Sequence, residues 1–171
     1  MQYYYDTATN QQYSFEDDVV VTGQPGALVF TAAHGAVLGP YPSTMVAGMV
    51  PPPPLAAQLA TAQAVQNNIL TQACASAIVS GFSSSALGSE YQYPSDVNTQ
   101  SNIDRASASG GYLWCAPASN AWGLVSHTQS QAAQVRTDLW SYIQTQQSKL
   151  ATLRQQIAAA TTVSAVQAVT W

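Results

Sequence analysis

From Leu55 onward the apolar positions of the chain fall at steps of three and four: Leu55, Leu59, Ala62, Val65, Ile69 and Ala73. That spacing lays one apolar stripe along a helix, which runs on towards Ile78 and stops near Gly81. A second run, Val135, Leu139, Tyr142, Leu150, Leu153, Ile157 and Ala160, predicts a long helix over about 128–160, interrupted at Gln146. At 1.5 Å per residue such a helix is about 50 Å long. Its stripe has to be covered by the helix from 55, by another copy, or by both; an antiparallel pairing with the helix from 55 is the expectation. VSAVQAV predicts one last helical turn before Trp171.

Residues 1–50 follow a different rule. QYYYD, YSFEDD, VVVTG, ALVFTA and AVLG read as short extended segments, TATNQQ and QPG as turns, and GPYPS as a break. Pro51–Pro54 then form a polyproline spacer about 12 Å long at 3.1 Å per residue.

Between the two helices, LGSEYQYPSD reads as a short strand running into a helix over about 95–107. Ser95 is the expected N-cap, and Asp96 falls in the first turn, where the helix dipole favours an acid. Asp104 and Arg105 point in different directions on that helix and make poor partners for each other. Gly110 and Gly111 end the helix, and YLWCA and AWGLVS predict a β-hairpin over about 111–126 around the turn PASN. Trp114 and Trp122 lie eight residues apart, so strict alternation puts both on one sheet face. At least one is expected to be buried against the long helix near Trp140. The fold class is α+β: a small N-terminal β region (1–50), the spacer (51–54), and a mainly helical domain with a short hairpin (55–171).

Composition changes this picture in one respect. Only 7% of the 171 residues are charged, against about 25% in ordinary globular chains. Gln, Asn, Ser and Thr must therefore supply the polar surface, and net charge guards weakly against association. Such a surface suits a subunit held in an oligomeric assembly. The first basic residue is Arg105, and the segment before it carries acids alone, so the two halves could attract each other or neighbouring copies. Four basic residues in all leave no phosphate-binding footprint, which argues against nucleic acid. No run approaches the roughly 18 apolar residues of a membrane span, and MQYYYD has neither the basic region nor the apolar core of a signal peptide.

Candidate chemistry is sparse. His34 sits in the turn AAHGA, and His127 directly precedes the long helix. A nucleophilic set of Cys115, His127 and an Asp would need an approachable thiol, yet Cys115 lies mid-strand without a flanking glycine. Glu16, Asp17 and Asp18 are adjacent and cannot all share a face. No GxGxxG, P-loop, GxSxG or HExxH occurs. The reading assigns no catalytic residue, cofactor or metal. Cys74 and Cys115 lack metal-ligand spacing; buried free thiols are expected, with a disulfide between them left open.

Two segments carry a resemblance. LGSEYQYPSDVNTQSNI, with Gln100 and Asn102, then a Trp-containing hairpin, a long Gln/Ala-rich helix and a terminal VQAVTW, resembles an uncharacterised domain family common at the C-terminal ends of bacteriophage tail proteins. The likeness covers about residues 56–171. MQYYYDTATNQQYSF resembles the opening of phage tail-fibre assembly proteins, although their lysine-rich character is missing here. These resemblances imply a non-enzymatic tail component in the virion, made in the host cytoplasm, with other tail proteins or copies of itself as partners. The alternative is an assembly chaperone that leaves before the virion is complete. Tyr3, Tyr4, Tyr5, Tyr13 and Phe15 are the candidate interface anchors, because aromatics combine large apolar area with little rotamer entropy. The competing reading packs them on the chain's own residues 27–38.

Overall fold

The structure is a computed structural model describing residues 1–171. It is α+β and divides into two compact units, Met1–Pro54 and Leu55–Trp171, each with its own core.

The first unit is built from six short strands, β1 (Gln2–Asp6), β2 (Gln12–Phe15), β3 (Val20–Thr22), β4 (Val29–Thr31), β5 (Val37–Leu38) and β6 (Met45–Ala47). They form two antiparallel three-stranded sheets, in the orders β2-β1-β6 and β3-β4-β5. Alternation along β1 sends Tyr4 and Asp6 inward. Tyr4 meets Phe15, Val19, Phe30 and Met45 in one cluster. Phe15 and Phe30 stack at 4.4 Å between ring centroids, and Tyr4 meets Phe30 edge-on at 4.9 Å, the two arrangements that the ring quadrupole favours. The chain breaks at GPYPS as expected, but β6 just beyond it was not foreseen. Its three residues are too few to show alternation, but Met45, Val46 and Ala47 pair with Asp6, Tyr5 and Tyr4.

Asp6 is buried on that inward face and is fully occupied. Its carboxylate accepts from the Ala8 N–H at 2.9 Å, from the Thr9 hydroxyl at 2.6 Å and from the Thr44 hydroxyl. One side chain thus closes the β1–β2 turn and ties it to the entry of β6. The Thr44 hydroxyl, then the Thr9 hydroxyl and the Ala8 N–H, hold the carboxyl below the ordinary carboxylate range.

The second unit opens with α1 (Leu55–Ile78). There follow β7 (Phe82–Ser84), β8 (Tyr91–Tyr93), α2 (Val97–Ser109), β9 (Gly111–Pro117), β10 (Gly123–His127), α3 (Gln129–Ala159) and α4 (Val163–Gln167). Its sheet is antiparallel in the order β10-β9-β8-β7. α3 starts from a capping box, with Thr128 as N-cap and Gln131 reaching back to the Thr128 N–H at 2.9 Å. The first half of α3 sends Ala132, Val135, Leu139 and Ile143 into a core shared with Phe82, Tyr93, Ile103, Leu113 and Cys115. Its far end sends Ile157 into a second cluster with Leu70 and Val166.

α1 and α3 are antiparallel. Gln63 donates to the Ile157 carbonyl at 3.1 Å, Arg154 to the Thr71 hydroxyl at 2.8 Å, and the Tyr142 hydroxyl to the Ala77 carbonyl at 2.6 Å. The buried stripe of α1 is the expected one only in part: Leu59 and Ala62 pack against the core as expected. Gln66, Leu70 and Cys74 face inward, while Leu55, Val65 and Ile69 are exposed. α1 is Ala-rich and apolar on more than one side, so periodicity offered two stripes. Gln66 joins the buried one because its amide donates to the Val169 carbonyl at 2.7 Å, which holds the end of the chain against the helix.

Two further expectations are corrected at the α2 junction. Asp96, not Ser95, is the N-cap, accepting from the N–H groups of Asn98 and Thr99. Ser95 is fully buried and acts as a rivet: its hydroxyl donates to the Ile78 carbonyl at 2.5 Å and accepts from the Gly81 N–H at 2.8 Å. Gly81 takes φ +107°, and a Cβ there would sit 3.0 Å from the Tyr93 carbonyl oxygen, so only glycine lets β7 pair with β8 so soon after α1. β7 itself was not expected, since FSS shows no alternation of apolar residues. Both cysteines are buried free thiols.

Two outcomes follow for the first unit. Phe30→Ala removes a fully buried ring and is expected to cost about 3–5 kcal/mol; hydrogen exchange should show lost protection within 1–54 and none within 55–171. Because the folded Asp6 carboxyl is depressed, its contribution is present above the ordinary carboxylate pKa and is lost as pH falls through the folded value. Acid titration should loosen the 1–54 unit in that range, and Asp6→Asn should make its stability less pH-dependent; an unchanged profile would show that the Asp6 bonds do not hold the turn.

Candidate functional site

The five aromatic anchors separate into two groups. Tyr4 and Phe15 are buried in the unit's own core against Phe30, which lies within residues 27–38. They are therefore structural and present no surface to a partner. Tyr3 is exposed, Tyr5 and Tyr13 are half-buried, and Tyr13 rests edge-on against Tyr41 at 5.6 Å. Tyr5 also lines a cleft of about 620 Å³ with Thr7, Asn10, Val50 and the four prolines. Glu16, Asp17 and Asp18 are exposed, Asp17 pairing with the N-terminal amine, and His34 is an exposed turn residue.

In the second unit, His127 is buried and both its ring nitrogens are engaged. Nδ1 lies 2.9 Å from the Val125 carbonyl, which can only accept, so Nδ1 carries the proton. Nε2 therefore accepts from the Tyr93 hydroxyl at 2.8 Å. Burial, and then the neighbouring Cys115, push the Tyr93 phenol well above its ordinary range. Burial likewise pushes the Cys115 thiol up, opposed in part by the nearby Tyr93 hydroxyl. A thiol held protonated is a poor nucleophile. With Tyr93 on Nε2 and Val125 on Nδ1, His127 has no nitrogen left to serve as its base. The set is a hydrogen-bonded core that the sequence concealed, because its members lie on three different strands.

A polar cleft of about 420 Å³ lies between β7 and α3. Ser84 donates to Asp138 at 2.5 Å, Gln134 donates to the other Asp138 oxygen at 2.7 Å, and Ser83 donates to Glu90 at 3.1 Å. These groups satisfy one another. Nowhere do three or more His, Cys, Asp or Glu side chains converge as a metal site would require.

The outward face of the β9–β10 hairpin is different in kind. Leu113, Cys115 and His127 face the core, whereas Tyr112, Trp114 and Leu124 face water. Trp114 and Leu124 are register partners, and Trp122 lies just before β10. Trp114 is 48% exposed, Trp122 42% and Trp140 47%, so the expected burial of a hairpin tryptophan against α3 is wrong. Alternation put the two rings where it should, beside one another; which face met the helix was decided by Leu113 and Cys115, whose smaller side chains fit the α2–α3 layer. Trp114 and Trp122 line a cleft of about 370 Å³ together with Val79, Ser80, Gly81, Gln92, Tyr93 and Pro94. The Trp122 indole N–H donates to Asn120 at 2.8 Å, and Asn120 takes the turn position with φ +60°. One ring is thus fixed by the turn and the other by the strand.

Comparison with protein-family models, curated proteins and solved structures finds no match to this chain.

The Tyr93–His127 contact yields a measurable expectation. Tyr93→Phe leaves the buried Nε2 without a donor, which costs about 1–3 kcal/mol; chemical denaturation should show that loss for the second unit. A variant as stable as the parent would mean that water or another donor satisfies His127.

Proposed function

We propose that this chain acts by contact and not by catalysis, as a structural component of a bacteriophage tail, either tail fibre or baseplate-associated. The observation that carries the contact reading is the outward hairpin face, where Tyr112, Trp114, Trp122 and Leu124 stand in water side by side. Soluble monomers rarely expose contiguous apolar surface unless a partner covers it, and tryptophan and tyrosine are the residues on which interfaces concentrate their energy. α1 adds Val65 and Ile69, and α3 adds Trp140. The shortage of charge over the whole chain fits a surface meant to be covered.

The phage assignment rests on the resemblance of residues 56–171 to domains at the ends of tail proteins, and of residues 1–15 to tail-fibre assembly proteins. Within the first unit, Tyr3, Tyr5 and Tyr13 remain the accessible members of the anchoring set. No helix is long and apolar enough to cross a membrane.

Mass spectrometry of purified virions is the test. Stoichiometric presence is the expected result; presence during assembly and absence from the finished particle would favour the chaperone reading. Deleting residues 1–50 is expected to prevent incorporation, because it removes Tyr3, Tyr5 and Tyr13 as anchors; normal incorporation of that variant would leave the hairpin face to carry the contact alone.

A further inference from the structure

α1 carries a second apolar line that its own chain leaves uncovered. Gln66, Leu70 and Cys74 face the core, whereas Leu55, Val65, Ile69 and Val79, the residue directly after the helix, are exposed. The exposed four obey a seven-residue repeat. Leu55 and Ile69 share one heptad position, and Val65 and Val79 share the position three residues further on. That is the spacing with which two helices pack side by side along a narrow seam. Ala62, half-buried, belongs to the same repeat and stands where the seam borders the core. None of the 24 residues of α1 is charged. A surface helix ordinarily turns charged residues to water, and charges beside a seam are what select one partner helix over another. α1 has neither.

The order of the exposed residues shows which helix fits. Val65 and Ile69 each lie two residues from Asn67, and Leu55 and Val79 each lie twelve. Reversed end for end, the line therefore falls on itself, Val65 against Ile69 and Leu55 against Val79. The layers between them set Ala62 against Gln72 and Gln58 against Ser76. A two-fold contact demands this self-complementarity, residue i meeting j while j meets i. We propose that α1 of one copy pairs antiparallel with α1 of a second copy along Leu55, Val65, Ile69 and Val79. A parallel pair would stack Gln58 and Gln72 on their own counterparts. It would also set the two helix dipoles side by side in one direction, with no charge on either helix to offset them. In the antiparallel pair the partner's Leu55 arrives at Val79, which lines the uncharged Trp114–Trp122 cleft. The pairing thus covers part of the exposed aromatic face as well as the seam. It rests on the contact reading above but not on the phage assignment.

The test uses the full chain. Sedimentation velocity of the parent should show a dimer forming as concentration rises. Val65→Lys and Ile69→Asp change exposed positions, and circular dichroism verifies that each variant keeps its fold. Each places an unpaired charge in the seam and should raise the dimer Kd about tenfold or more. Mixed in equal amounts, the two variants should dimerise with each other more tightly than either does with itself. The introduced lysine then faces the introduced aspartate in one central layer, and the other central layer stays apolar. Disulfide trapping reads the direction. Leu55→Cys and Val79→Cys should cross-link to each other when mixed, and neither should cross-link to itself, because the ends of a 24-residue helix stand roughly 36 Å apart. Both native cysteines are buried. A parent that stays monomeric, or cross-linking of Leu55→Cys to itself, would overturn the proposal. A dimer unmoved by both charged variants would overturn it too, while leaving the contact reading intact.

Discussion

A helix of 31 residues in water has nothing to hold it, and the second unit is organised around covering the buried side of α3. Val135 and Leu139 require a layer of sheet and helix over them, which β7, β9 and α2 supply. Ile157, one turn beyond Leu153 and two beyond Leu150, requires another, which α1 and α4 supply. The two cores are filled from opposite ends of one rod. That is why the last residues of the chain fold back: without Val166 and Trp171 the far end of α3 would be open to solvent. Lys149 lies over the Trp171 ring at 4.5 Å and closes the same end with a cation–π contact.

Polar side chains do much of the fastening in a molecule with so few charges. The Ser95 hydroxyl joins the end of α1 to the strand after it, the Gln66 amide holds the C-terminal segment, and Asp6 draws the first unit's turn and its last strand together. No buried side-chain polar atom is left without a partner, the condition under which such groups fix geometry without a desolvation penalty. Arg136 and Asp104, at 2.6 Å, form the one side-chain ion pair. It is half exposed and contributes little to stability. The outer surface is left to amides, hydroxyls and unpaired aromatics, which is the physical basis for reading the chain as a contact-making subunit.

The sequence by itself determined the class and most of the elements. The three-four spacing from Leu55 and from Val135, the glycines at 110 and 111, and the turn residues around Asn120 are local signals, and each acts through backbone geometry within a few residues. Strands as short as β6 and β7 escaped, because three residues carry no period and exist only through the partners they pair with. The cap moved by one residue from Ser95 to Asp96 for a non-local reason: Ser95 was already bonded to Ile78 and Gly81.

What tertiary structure alone decided was which face of each element turned inward. α1 carried two apolar stripes, and the one bearing Gln66 was buried because the Val169 carbonyl met its amide. Alternation grouped Trp114 with Trp122 but was silent on whether that group faced α3. The smaller Leu113 and Cys115 fit the layer, so the indoles went to solvent. Of the five N-terminal aromatics, Tyr4 and Phe15 were drawn in by Phe30, a residue fifteen positions further along the chain from Phe15 and invisible to any local pattern. Periodicity is a property of one segment, whereas burial is a property of two surfaces that fit, and the second is not written in the first.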